Sequence, residues 1–250
     1  EGRSRTKLEL PGFQQELLEE VYAVNKNIIL VLMNGRPLVL NWADEHLPAI
    51  VEAWHLGTES GNAIAEVLYG DYNPSGKLPM SFPRSVGQMP LYYNHKNTGR
   101  PGAKGADAGS VFWSHYGDEK NSPLYPFGYG LSYTEFEYSE ITLTKRVLKE
   151  GTKIEASVTL TNGGKVKGKE VVQMYIRDHF ASVTRPVREL KDFELVEIEP
   201  GESKLITFEL TPETLQFYSV NKKWESEPGT FSLFIGTNSA TTRRADFKLE

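Results

Sequence analysis

The 250 residues carry a formal net charge of −5, with 39% hydrophobic and 24% charged side chains, which suits one large globular domain or two of ordinary size. The acidic balance and the scatter of the 28 Lys and Arg argue against a nucleic-acid partner, and no apolar run reaches the roughly 18 residues of a membrane span. With no Cys there are no disulfides, thiolate nucleophiles or Cys-ligated zinc, and the five His stand at no metal-binding spacing, so neither a metal nor another cofactor is expected.

The chain opens on Glu1-Gly2-Arg3 without the apolar stretch of a secretory signal, an absence that says little if the chain is an excised piece. Pro11 suits a helix start, and Phe13, Leu17, Leu18 and Val21 recur at helical spacing up to Asn25. The unbroken apolar run Ile28 to Met33 then predicts a strand buried on both faces, as in a parallel sheet, ended by Asn34-Gly35. Ile50 to Trp54 is a second strand candidate closed by Gly57. Thr58 is placed to cap a helix over residues 59–68, with Gly70 as its stop. Helices alternating with buried strands predict an α/β sandwich, yet so few strands make only part of one; the rest is expected upstream of Glu1.

From Asp71 to Gly130 the composition shifts to Gly, Pro, Asn, Ser and Tyr. Asp71 and Asn73 read as turn formers, and Lys77 to Phe82 as a short edge strand, since Pro79 forbids a central one. Residues 94–122 lack periodicity and read as a long surface loop. Beyond Phe136, alternating segments at 155–161, 170–178, 190–198, 204–210 and 230–236 are separated by turn clusters such as Asn162-Gly163-Gly164 and Glu199-Pro200-Gly201. That spacing predicts an antiparallel sandwich of about seven strands, nearer fibronectin type III than immunoglobulin because no Cys…Trp…Cys pattern exists. The expected organisation is residues 1–93 as a partial α/β sandwich, 94–123 as a linking loop and 124–250 as the β-sandwich. Phosphate-loop and GxSxG patterns are both absent, so a nucleotide enzyme or a serine hydrolase has no support.

Four segments resemble glycoside hydrolase family 3, most nearly its periplasmic β-glucosidase type. They are Val31-Leu32-Met33-Asn34-Gly35-Arg36-Pro37-Leu38, the stretch from Ala53 to Ala65, the stretch from Gly70 to Pro79, and Tyr125-Pro126-Phe127-Gly128-Tyr129-Gly130-Leu131-Ser132-Tyr133. The resemblance implies a parent with a (β/α)8 barrel, an α/β sandwich and a fibronectin-like domain, of which this chain matches the second half of the sandwich and the third domain. It implies a retaining β-glucosidase acting on terminal β-D-glucosyl residues of a β-glucoside or oligosaccharide, periplasmic or secreted. The aspartate nucleophile belongs to the missing barrel. The second carboxyl of such an enzyme lies about 5–5.5 Å from the nucleophile and serves as acid, then base. By resemblance that residue is Glu1, in Glu1-Gly2-Arg3-Ser4-Arg5-Thr6; Arg3 and Arg5 read equally as groups that orient it or reach a neighbouring domain and as two solvated arginines.

Several residues carry a plainer reading beside the functional one. Glu1 could be a frayed terminal side chain and Trp54 core packing rather than a sugar platform. Tyr92-Tyr93 are candidates for sugar stacking, whereas Phe112, Trp113, His115 and Tyr116 suit the cover of a partner domain. Glu59 and Asn62 read as helix capping or surface. The isolated chain is expected to be inactive, needing the missing barrel as partner, and its open sheet makes a homodimer possible. The competing reading is a non-catalytic carbohydrate-binding or assembly module.

Overall fold

The computed structural model describes residues 4–101 and 113–250, so Glu1, Gly2, Arg3 and Phe112 lie outside the described residues. The chain divides into two compact units. The first draws on the described residues of Glu1–Tyr72, Met80–Leu91 and Gly102–Pro126; the second on Asn73–Pro79, Tyr92–Pro101 and Phe127–Glu250.

The first unit begins with α1 (Gln14–Val24), β1 (Ile29–Leu32), α2 (Asn41–His46), β2 (Ala49–Glu52) and α3 (Ser60–Tyr69). β1 and β2 pair in parallel, Ile29 opposite Ala49 and Leu32 opposite Glu52, and form a sheet of two strands. Its small core holds Leu32, Leu38, Leu40, Ala43, Leu47, Ala53 and Phe82. The apolar run at 28–33 is not buried on both faces as its composition suggests: Ile29 is 50% and Met33 59% exposed. α1 follows the apolar spacing, yet it buries none of its residues, and Leu17 is 64% exposed. One layer of this α/β unit is thus uncovered among the described residues.

Two local expectations need correction, and one helix was not expected. Glu59 rather than Thr58 caps α3, without a side-chain bond to the backbone, while Asn62 Nδ2 donates to the Glu59 carboxylate. Gly70, at φ 82°, does close the helix in the left-handed conformation that glycine adopts at least cost. No strand forms over 77–82. Pro79 and Pro83 remove donors, so Phe82 makes only an isolated bridge with Tyr125. The short helix α2 lacks an apolar period and was not signalled at all.

The second unit is built from strands. They are β3 (Phe136–Tyr138), β4 (Thr142–Leu143), β5 (Val147–Leu148), β6 (Ile154–Asn162), β7 (Gly168–Asp178), β8 (Glu189–Ile198), β9 (Ser203–Leu210), β10 (Phe217–Tyr218), β11 (Trp224–Glu225), β12 (Gly229–Gly236) and β13 (Arg244–Leu249). One sheet has the order β5-β13-β12-β7-β8; in the other, β6 carries β3 and β4 along one edge and β9 along the other. Strict alternation on β6 turns Ile154, Ala156, Val158 and Leu160 inward, where they meet Val172, Met174 and Ile176 of β7 and Leu233 and Ile235 of β12 in one core cluster. Leu249, next to the last residue, belongs to that core. β10 and β11 form a separate hairpin.

Candidate functional site

Ligands of parallel α/β sheets bind beyond the carboxyl ends of the strands. In the first unit those ends are Met33-Asn34-Gly35-Arg36 after β1 and Ala53-Trp54-His55 after β2. Three bonds carry the pairing past the strands: Ala53 N–H donates to Leu32 O (2.9 Å), Asn34 Nδ2 to Glu52 Oε2 (3.3 Å) and Trp54 N–H to Glu52 Oε1 (3.0 Å). Burial pushes the Glu52 carboxyl above its ordinary range, against the pull of the two hydrogen bonds it accepts. Trp54 sits at φ 52°, a left-handed conformation that a bulky residue adopts only when its surroundings impose it. Its N–H is held by the Glu52 carboxylate.

This clamp shapes the β1 loop. A Cβ on Gly35 would lie 2.8 Å from Nε2 of the exposed His55 ring, so the His55 side chain packs directly against the glycine and would have to swing aside for a larger residue. Arg36 Nη1 then donates to Arg5 O (2.8 Å), Val39 N–H to Leu8 O (2.9 Å) and Arg5 Nη2 to Glu9 O (3.3 Å). The segment that leads back toward Glu1 is therefore strung along the loop that follows β1. Beside it, a groove of about 670 Å³ runs between α1 and β1, lined by Arg5, Leu10, Leu17, Leu30, Met33 and others. Its walls are mainly aliphatic, which suits a packed layer better than a polar ligand.

The other sequence candidates separate. Trp54 lies 6.0 Å from the Phe82 ring, which lies 6.0 Å from Tyr125, so it packs in the first unit rather than facing a sugar. Tyr93 stacks on Phe127 at 4.2 Å and its hydroxyl accepts Leu190 N–H (3.2 Å); Tyr92 is 64% exposed. Trp113, His115 and Tyr116 stay close together, His115 Nδ1 lying 2.8 Å from Trp113 O, and Trp113 is 39% exposed. Asn73 does more than form a turn: Oδ1 accepts the Ser132 hydroxyl (2.9 Å) and Tyr133 N–H (2.8 Å), and Nδ2 donates to Lys167 O (3.0 Å). Among the described residues no group of three or more His, Asp or Glu is placed to hold a metal ion. Sequence reasoning read Asn34 only as a strand end and part of a family-like segment, and missed Glu52, whose one signal was a carboxylate inside an apolar strand.

Comparison with known proteins bears on this arrangement. The profile of the Glycosyl hydrolase family 3 C-terminal domain matches residues 1–133, and that of a Fibronectin type III-like domain matches 170–239. A Periplasmic beta-glucosidase of Salmonella typhimurium is 50% identical over 100% of this chain, which covers 32% of its length. A Beta-xylosidase of Formosa agariphila is 43% identical over 96% of the chain, again 32% of its own length. The crystal structure of a beta-glucosidase from Listeria innocua in complex with glucose superposes with a TM-score of 0.92 at 43% identity, over 97% of this chain and 33% of that one. A mutant of the same enzyme in complex with laminaribiose gives the same score. The chain spans about a third of the length of the relatives it matches.

Proposed function

Because the chain belongs to glycosyl hydrolase family 3, whose C-terminal domain it carries, we propose that it is the C-terminal part of a retaining β-glucosidase that hydrolyses terminal non-reducing β-D-glucosyl residues. The observation that carries this reading is the 50% identity, across the whole chain, to a protein named Periplasmic beta-glucosidase. That name also supports a periplasmic or secreted location. Glu1 is the acid/base, and the aspartate nucleophile lies in a barrel outside this chain. In the first step the aspartate attacks the anomeric carbon while Glu1 gives its proton to the leaving oxygen. In the second, Glu1 takes a proton from water, which attacks the glycosyl–aspartate ester and releases glucose with the β configuration. The anchoring of the segment after Glu1 by Arg36 and Val39 supports the reading, since an acid/base needs a fixed approach to the bond it protonates.

The isolated chain, lacking the nucleophile, does not turn over substrate. Upstream sequence supplies the layer that covers α1 and β1; without it, the same apolar face pairs two copies of the chain. The named xylosidase relative keeps β-xylosides as a second substrate class.

The test is Glu1→Gln in the whole protein. Hydrolysis of cellobiose, with a poor leaving group, should fall by about 10²–10⁴-fold, and that of activated aryl glucosides far less. The glycosyl-enzyme formed from an activated substrate should accumulate, and azide, which needs no deprotonation, should rescue its turnover as the β-glucosyl azide. Near wild-type cellobiose hydrolysis would show that the acid/base lies elsewhere.

A further inference from the structure

The β10–β11 hairpin of the second unit exposes aromatic surface that the proposed reaction does not use. Its inward face holds it in place: Phe217 is 2% and Ser219 4% exposed, and the Arg185 guanidinium lies 4.3 Å over the Phe217 ring. Its outward face carries Tyr218 and Trp224, directly opposite one another in the register and 55% and 68% exposed. Their ring centroids are 6.0 Å apart with the planes at 65°. The turn is fixed by Ser219 N–H to Lys223 O (2.9 Å) and Lys222 N–H to Ser219 O (3.0 Å), with Lys222 left-handed at φ 58°. Glu225 Oε1 ties it further, accepting Asn221 Nδ2 (2.9 Å) and the Ser219 hydroxyl. Two aromatic rings are thus presented to solvent on a hairpin whose backbone is already ordered, so little conformational freedom remains to be lost on binding.

We propose that this hairpin is a second glycan-binding site, on which Tyr218 and Trp224 stack the pyranose rings of a β-linked glucan chain. A pyranose offers a face of C–H groups that packs on the electron-rich face of an aromatic ring, while its equatorial hydroxyls project sideways. Asn221, Lys222 and Lys223 at the turn supply polar groups at that rim. A protein partner would need about 800 Å² on each side, well beyond what two rings offer, whereas one or two sugar rings need no more than these. The choice of β-glucan rests on the proposed function; the existence of the platform does not. Such a site would hold a polymeric substrate near the enzyme without touching the bond being broken.

A cross-strand aromatic pair also stabilises a hairpin by itself, and the experiment separates the two roles. In affinity electrophoresis, the 250-residue chain should be retarded by laminarin, a soluble β-glucan, and not by dextran, an α-glucan. Trp224→Ala should weaken the laminarin interaction about tenfold with the circular dichroism spectrum unchanged, and Trp224→Phe, which keeps a ring, should retain most of it. No retardation by laminarin, equal retardation by dextran, or undiminished retardation of Trp224→Ala would overturn the proposal. Self-association lost in Trp224→Ala, with no retardation in the wild type, would overturn it in favour of a contact between copies. None of these outcomes depends on hydrolysis, so the site can fail while the Glu1 assay succeeds, and the reverse.

Discussion

Single side chains in the second unit show burial overriding their charged partners. Asp178 closes β7 with its side chain 5% exposed, and Arg185 Nε stands 3.8 Å away, too far for a tight ion pair. Burial therefore dominates and raises the carboxyl from 3.8 to about 6, against the Phe180 N–H bond and the Arg185 charge, with Glu227 and Glu189 adding to the rise. Because the folded state binds this proton more tightly than the unfolded one, the contribution to stability is complete below about pH 3.8 and is lost as the pH climbs to about 6. The full span corresponds to roughly 3 kcal/mol. Asp178→Asn keeps the oxygen that accepts Phe180 N–H and removes the ionisation. Urea unfolding at pH 4 and pH 7 should then show the wild type losing about 2–3 kcal/mol relative to the variant between the two. A difference independent of pH would mean that Asp178 stays ionised throughout.

At the scale of elements, legibility followed from what a pattern has to satisfy locally. Five sandwich strands, β6 to β9 and β12, were readable, and β6 alternates at every position from Ile154 to Asn162. β3, β4, β5, β10, β11 and β13 were not singled out, so among the described residues the unit has eleven strands where about seven were expected. α1 was readable from its 3.6-residue spacing, but no spacing says whether the neighbour that should cover it lies in the same chain. α2 was not readable. Asn41–His46 is held by contacts distant in sequence, Asn41 Nδ2 to Arg84 O (2.9 Å) and Tyr125 hydroxyl to Asp44 (2.6 Å), together with Trp42 stacked on His46. The site shows the same division: Gly35 was legible as the stop of the apolar strand, Arg36 only through the family resemblance, and the Glu52 clamp was hidden inside an apolar run. The uncovered helix gives its own prediction. Leu17, 64% exposed, points into the groove beside β1. Leu17→Glu should shift the stability of the isolated chain by no more than about 0.5 kcal/mol. In the whole protein, with the proposed upstream layer over α1, the same change should cost at least about 2 kcal/mol, because it would bury a charge. Parallel denaturation of both proteins checks this, and equal small effects would remove the proposed covering layer.

Across the whole molecule, the two units differ in how far each one closes its own core. The second satisfies its sheets and core internally. Leu148, Ile154, Leu160, Met174, Leu210, Leu233 and Ile235 are all fully buried, and inside the fold Glu170 accepts both Lys77 Nζ (2.9 Å) and the Tyr138 hydroxyl (3.0 Å). In the first unit, α1 and α3 bury no residue and the sheet has two strands. Local opening costs little where few apolar contacts are lost, so helices without buried side chains should open well before the global transition of a sandwich. Limited proteolysis of the isolated chain should accordingly cut first within residues 14–69 and leave a resistant fragment spanning 136–249. Hydrogen exchange should give the same order, with the amides of α1 and α3 exchanging early and those of β6, β7 and β12 last. Restoring the upstream sequence should slow exchange in α1 far more than in β6, since α1 gains a cover and β6 already has one. Cleavage of the sandwich ahead of residues 14–69, or equal protection of α1 with and without the upstream sequence, would contradict this account of where the fold is complete.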